Sequence, residues 1–156
     1  MQALQSLLQH PEFVEDRDWY RTGYPADHCL FRAGDPGGEV YVLLAGRVRV
    51  TGSVNLDNER RIRPGVCDLE PGAVFGELPL IDAGPRSAAL TTLSPVERAE
   101  IDGDGLLRFF DTHPEIGYRV LRELIETVVA RLRQTNDKVW SLLAWGLKVH
   151  SIDRLL

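Results

Sequence analysis

The sequence predicts an α+β fold: an antiparallel, jelly-roll-like β-roll, with short N-terminal helices before it and a long C-terminal dimerisation helix after it. Three observations carry this. Short strand-like runs recur at even intervals between Glu39 and Ile101. Turn-forming stretches such as Ala45-Gly46 and Glu70-Pro71-Gly72 separate them. From Pro114 onward the apolar residues fall at helical, heptad spacing. Evenly spaced short strands imply a small barrel or roll, and a sustained heptad implies two helices wound together.

In chain order, Ala3 to Leu8 reads as a short helix ended by Pro11, and Glu12 to Tyr20 as a second helical piece. From Leu30 the texture changes. Glu39 to Leu44 is a strand, Ala45-Gly46 a tight turn, and Arg47 to Thr51 alternates polar and apolar residues. That alternation is the period of a strand with one buried face. Asp57-Asn58 marks another turn, Ile62 to Leu69 a weaker strand, and Glu70-Pro71-Gly72 a third turn. Arg86 to Thr92 and Val96 to Ile101 are two further strands, split by Ser94-Pro95. Leu106 to Phe110 is then a short helix, and His113-Pro114 opens a long one from about residue 114 to at least Val139. Within it Leu121, Ile125, Val128, Leu132, Thr135, Val139 and Leu142 are spaced 4-3-4-3-4-3, while Val120 and Leu124 lie on a second face that can pack on the roll.

Length and composition set the outer bounds. The 156 residues fit one domain with a real core, and 44% hydrophobic and 26% charged residues are ordinary for a globular protein. A formal net charge of -5 argues against direct contact with nucleic acid, which needs a basic face. It leaves room for one small anion in a local basic pocket. Cys29 and Cys67 are too few for a disulfide framework and read as buried or half-buried thiols. No apolar run approaches the roughly 18–20 residues that span a bilayer, and the start is not a secretion signal, so no membrane contact and a cytoplasmic location are expected.

The chemistry concentrates between Phe75 and Ala88, FGELPLIDAGPRSA. Glu77 and Arg86 flank a short apolar turn, Pro79 to Asp82, between Gly76 and Gly84. An ion removed from water costs several kcal/mol unless it is paired. Two readings satisfy that requirement. In one, Glu77 and Arg86 form a salt bridge that closes a surface loop. In the other, a single ligand uses both: Arg86 donates paired N–H groups to a phosphate, and Glu77 accepts from a sugar hydroxyl. Gly76 would let that ligand approach the backbone, and Ser87 adds a hydroxyl.

This run resembles the phosphate-binding cassette of cyclic nucleotide-binding domains, the fold of catabolite-activator-type regulators and of kinase regulatory subunits. The resemblance extends to Phe31-Arg32-Ala33-Gly34-Asp35, to Val40 through Val48, and to Leu69-Glu70-Pro71-Gly72. It implies that Glu77 binds a ribose hydroxyl and Arg86 the cyclic phosphate, with Gly76, Leu78 and Ser87 completing the site. It further implies that Thr135, the one polar residue of the seam, meets the base, with Asn136 standing where the family usually has a serine. Without the resemblance, a polar seam residue serves only to set register. The ligand implied is cAMP, with cGMP or a cyclic dinucleotide as alternatives, and no cofactor or metal is implied.

The organisation expected from this resemblance is a nucleotide-binding domain over residues 1–140 and an apolar helical tail over 141–156. The tail, which follows Trp140 and contains Trp145, is an interface or the remnant of an output region. Relatives of the catabolite-activator type continue into a helix-turn-helix, which Trp140 to Leu156 is too short to form. A homodimer through the seam and an unknown downstream protein are the expected partners, with ligand shifting the seam between two arrangements. An enzyme is disfavoured: His10, His28, His113 and His150 are scattered, and no nucleophile–base spacing occurs. A haem or redox sensor would have to draw on Cys29, His28 or Cys67 and would have no use for Glu77 and Arg86. A degenerate module that docks without binding nucleotide is the remaining alternative.

Overall fold

The computed structural model describes residues 2–52, 54–57, 60–62 and 65–149. In chain order the elements are α1 (Gln2–Leu7), β1 (Trp19–Tyr24), β2 (Cys29–Phe31), β3 (Glu39–Ala45), β4 (Val48–Thr51), β5 (Val54–Asp57), β6 (Arg60–Ile62), β7 (Gly65–Leu69), β8 (Val74–Phe75), α2 (Pro79–Asp82), β9 (Ala89–Thr92), β10 (Val96–Asp102), α3 (Gly103–Thr112) and α4 (Pro114–Val149). Two compact units divide the chain, Met1–Val120 and Leu121–Leu156.

The first unit holds two four-stranded sheets, ordered β1-β10-β3-β8 and β2-β9-β4-β7, and a two-stranded ribbon β5-β6. The ladders of these strands are antiparallel. This is the α+β roll that the strand spacing predicts. Strand β3 shows why it closes. Tyr41 and Leu43 point to one face and join Val48, Leu69, Phe75, Leu90 and Val96 in a single buried cluster. Val40 and Val42 point to the other face, in register with Ile101 and Ala99 of β10, and all four are fully buried. A strand buried on both sides reads as a continuous apolar run rather than an alternating one. Between β3 and β4, Gly46 adopts φ 81°, and a Cβ there would meet the Pro95 carbonyl and Val96 Cγ1. Only glycine fits that turn.

Helix α3 packs against β10, and the Asp102 carboxylate caps it by accepting from the Gly105 N–H at 2.7 Å. The start of α4 lies so close to α3 that a Cβ on Gly117 would stand 2.7 Å from Phe110 Cβ. The second unit, through Val149, is one continuous helix. Thr127, Thr135 and Ser141 spend their hydroxyl protons on the carbonyls four residues back, at 2.8, 2.9 and 2.8 Å. Its seam residues Ile125, Leu132 and Val139 are exposed in the single chain, as are Trp140 and Trp145.

Several expectations need correction. Glu12 to Tyr20 is not a helix, so α1 alone represents the expected N-terminal helices. Asp16 takes φ 67°, the Asp18 carboxylate accepts from the Val14 N–H at 2.7 Å, and Trp19 is drawn into β1 opposite Ile101. Cross-strand pairing there outweighs helix propensity. The strand expected from Arg86 begins only at Ala89, because the Arg86 backbone bonds to residues 34 and 35 instead. Strands β1, β2 and β8 are too short or too polar to show in the pattern. Ile62 to Leu69 contains the end of β6 and all of β7, and residues 63 and 64 lie outside the described residues. Asn58 of the expected Asp57-Asn58 turn, and His150 to Leu156 of the tail, also lie outside them. Cys29 is half-buried as expected, but Cys67 is exposed, because β7 is the edge strand of its sheet. No helix among the described residues is long and apolar enough to cross a membrane.

Leu43 is 1% exposed at the centre of the roll. Leu43→Ala is expected to lower stability by about 2–5 kcal/mol through lost contact and a residual cavity. Denaturant unfolding should show this as a lower midpoint with an unchanged slope.

Candidate functional site

The site is built where the loop 32–38, the start of β3 and the segment from β8 to β9 converge. Arg86 is placed by its backbone: its N–H donates to the Asp35 carbonyl at 2.9 Å, and its carbonyl accepts from the Gly34 N–H at 2.8 Å. The Asp35 carboxylate in turn accepts from the Arg32 N–H at 2.8 Å, which holds the loop in its turn. Phe75 ends β8, Gly76 turns the chain at φ 73°, and Glu77 and Leu78 lead into α2. The expected turn from Pro79 to Asp82 is thus present. It closes at Ala83, which adopts φ 51° and donates its N–H to the Pro79 carbonyl.

The Arg86 side chain is 2% exposed. Nη1 donates to the carbonyls of Glu39 and Gly76, each at 2.9 Å. Nη2 donates to Glu39 Oε2 at 2.7 Å and to the Tyr41 hydroxyl at 3.3 Å. The Tyr41 hydroxyl donates to the same Glu39 oxygen at 3.3 Å, which closes a ring of three side chains. The guanidinium carbon lies 4.8 Å from the Phe31 ring centroid and 5.2 Å from that of Tyr41, within cation–π range. Two glycines leave the space: a Cβ on Gly37 would collide with the guanidinium, and one on Gly76 would stand 2.7 Å from Nη1 and 2.9 Å from Tyr41 Cδ2.

The ion-pair partner of Arg86 is therefore Glu39, not Glu77, and the surface-loop salt bridge considered from the sequence does not form. Glu77 is buried beside Gly76, and its carbonyl accepts from the Leu80 N–H at 3.1 Å. Leu78 and Ser87 are exposed on either side of α2. The structure thus gathers Gly76, Glu77, Leu78, Arg86 and Ser87 on one segment. Thr135 and Asn136 lie on α4 in the second unit, and both are exposed.

Sequence reasoning missed four residues here. Glu39 and Tyr41 supply the polar partners of Arg86, and Phe31 its aromatic face. Arg98 lies on the opposite neighbour of β3, with its guanidinium carbon 4.0 Å from the Tyr41 ring centroid. Its Nη2 pairs with Glu100 Oε2 at 2.9 Å and its Nε donates to Thr22 Oγ1 at 3.1 Å. Burial is the main influence pushing the Tyr41 phenol up to about 12, so it stays a proton donor at neutral pH. The available signal was the i, i+2 spacing of Glu39 and Tyr41, which places both on one strand face.

The family model of the cyclic nucleotide-binding domain matches residues 21–113, which contain this whole arrangement. The chain is 32% identical over 120 residues to a CRP-like cAMP-activated global transcriptional regulator of Mycobacterium tuberculosis, covering 77% of this chain and 50% of that protein. It therefore spans about half the length of that curated relative. Among solved structures it is similar to a cyclic nucleotide-binding domain from Methylobacillus flagellatus, with a TM-score of 0.69 and 29% identity over 77% of this chain and 65% of that one. It is also similar to the c-di-GMP responsive global regulator CLP of Xanthomonas campestris, with a TM-score of 0.71 and 26% identity over 88% of this chain and 62% of that one. The matching family is one of cyclic nucleotide binding.

Gly76→Ala would force a Cβ against Arg86 and Tyr41 at a backbone angle that disfavours it. The variant is expected to lose about 1–3 kcal/mol of stability, read by chemical denaturation.

Proposed function

The chain belongs to the cyclic nucleotide-binding domain family, and on that premise we propose that it is a regulatory sensor whose ligand is a cyclic nucleotide, with cAMP the leading candidate. The observation that carries the reading is the buried Arg86 guanidinium, held against the Gly76 carbonyl one residue before Glu77. Arg86 cannot lose its charge near neutral pH and presents a planar fork that matches two phosphate oxygens. Glu77, next in the chain after Gly76, accepts from a ribose 2′-OH. A cyclic phosphodiester fused to its ribose offers both groups a few ångströms apart. Leu78 and Ser87 border the seat, and Thr135 and Asn136 approach the base. The hydroxyl proton of Thr135 is spent on the Arg131 carbonyl, so its oxygen meets the base as an acceptor.

Signalling is proposed to run through the long helix of a homodimer. The seam of Leu121, Ile125, Val128, Leu132, Thr135 and Val139 is the interface. In support, Ile125, Leu132 and Val139 are exposed in the single chain, and so are Trp140 and Trp145. A lone chain that kept so much apolar side chain in water would be prone to associate. Residues 1–140 act as the nucleotide-binding domain and 141–156 as its apolar tail, which meets a downstream protein. Ligand shifts the seam only by binding one of its arrangements more tightly than the other.

A second reading takes a cyclic dinucleotide as ligand. Its support is the similarity to the Xanthomonas regulator, which is described as c-di-GMP responsive. Calorimetric titration with cAMP, cGMP and c-di-GMP decides among these, and binding of none of them leaves the docking module. The expected result is binding of cAMP that weakens about a hundredfold or more in Arg86→Ala, with Glu77→Ala also clearly impaired. Equal affinity in both variants would sink the site assignment. For the dimer, Leu132→Glu is expected to convert the protein to a monomer in sedimentation equilibrium while leaving its β-sheet circular dichroism unchanged.

A further inference from the structure

Both Nη groups of Arg86 are already occupied by acceptors of the protein itself. Two of these, the Glu39 and Gly76 carbonyls, belong to the backbone and stay with the fold. The Glu39 carboxylate does not have to. Its side chain is 42% exposed while that of Arg86 is 2% exposed, so the anion can swing into water and the cation cannot. A guanidinium that deep needs an anionic partner at all times.

We propose that Glu39 is an internal competitor for the phosphate seat and sets the affinity of the site. The inference rests on reading the cassette as a cyclic-phosphate site. A cyclic phosphodiester is a monoanion with two free oxygens, and a carboxylate has the same charge and the same pair of acceptors. Nη2 reaches Glu39 Oε2 at 2.7 Å, so phosphate takes that position only after the carboxylate leaves. Two anions left side by side there would repel each other. Tyr41 makes the exchange possible without loss. Its hydroxyl donates to Glu39 Oε2 at 3.3 Å, and with the carboxylate gone the same proton is free for a phosphate oxygen. Ligand therefore binds with an affinity reduced by whatever the Glu39–Arg86 pair contributes.

Calorimetric titration of the full chain with cAMP, cGMP and c-di-GMP tests this on the wild type, Glu39→Gln, Glu39→Ala and the double variant Glu39→Gln/Arg86→Ala. Glu39→Gln keeps the shape and removes the charge, and the carbonyl of residue 39 still holds Nη1. Its affinity for the ligand that binds the wild type is expected to rise about tenfold or more, the scale of one charge-assisted hydrogen bond. Glu39→Ala should shift the same way, and the gain should vanish in the double variant. Should either single variant fold poorly, the ligand-induced rise in melting temperature of the other carries the comparison. Unchanged affinity would overturn the proposal, since Glu39 would then stay clear of the ligand. Weaker binding would overturn it too, making Glu39 a buttress that orients Arg86. A gain that survives loss of Arg86 would place the effect elsewhere. If neither the wild type nor Glu39→Gln binds any of the three nucleotides, the cyclic-phosphate reading itself fails and takes this inference with it. If the wild type binds and Glu39→Gln binds no tighter, only the competition fails.

Discussion

The Arg86 guanidinium carries a charge that no accessible pH removes, and its side chain is almost wholly withdrawn from water. Around that one ion the neighbouring chain has little freedom. The loop 34–38 must curl so that Gly34 and Asp35 pair with the Arg86 backbone. Gly37 and Gly76 must lack side chains, because the guanidinium fills the space a Cβ would need. Phe31 and Tyr41 must present their rings, and the Glu39 and Gly76 carbonyls must point inward. Removing one partner of a buried pair costs far more than the pair itself contributes, because the remaining charge is left uncompensated. The buried guanidinium therefore requires an anion beside it at all times.

The roll interior divides accordingly. One part is the apolar cluster around Leu43, Val48, Leu90 and Val96. Another is a polar layer centred on Tyr41, whose ring is approached by Arg86 at 5.2 Å and by Arg98 at 4.0 Å. Each guanidinium brings its own carboxylate, Glu39 for Arg86 and Glu100 for Arg98. The two carboxylates stand on adjacent antiparallel strands, Glu39 on β3 and Glu100 on β10, with Glu100 directly opposite Tyr41 in register. Such a layer gives up some apolar burial in exchange for directional contacts, which is the property a selective binding surface requires.

The family relationship and the local chemistry bear on different questions. Family membership accounts for the two-sheet roll. The local chemistry adds Glu39, whose half-exposed carboxylate joins the buried cation from 47 residues earlier in the chain.

Strand β3, the Gly46 turn, the helical turn at Pro79–Asp82 and the run of α4 through its heptads were legible in the sequence. Each depends on a local period or on one residue's backbone preference, and such signals survive without knowledge of what lies opposite. A Glu77–Arg86 salt bridge was one of two readings that the spacing left open, and the folded chain supplies the acceptors of Arg86 from β3 and Gly76 instead. Likewise Glu12 to Tyr20 carried a helical texture that lost to pairing with β10. Long-range register decides which groups share a face and which carboxylate reaches a cation first. Those distances arise only when the two sheets close, so the partner of Arg86 was a matter for the folded molecule alone.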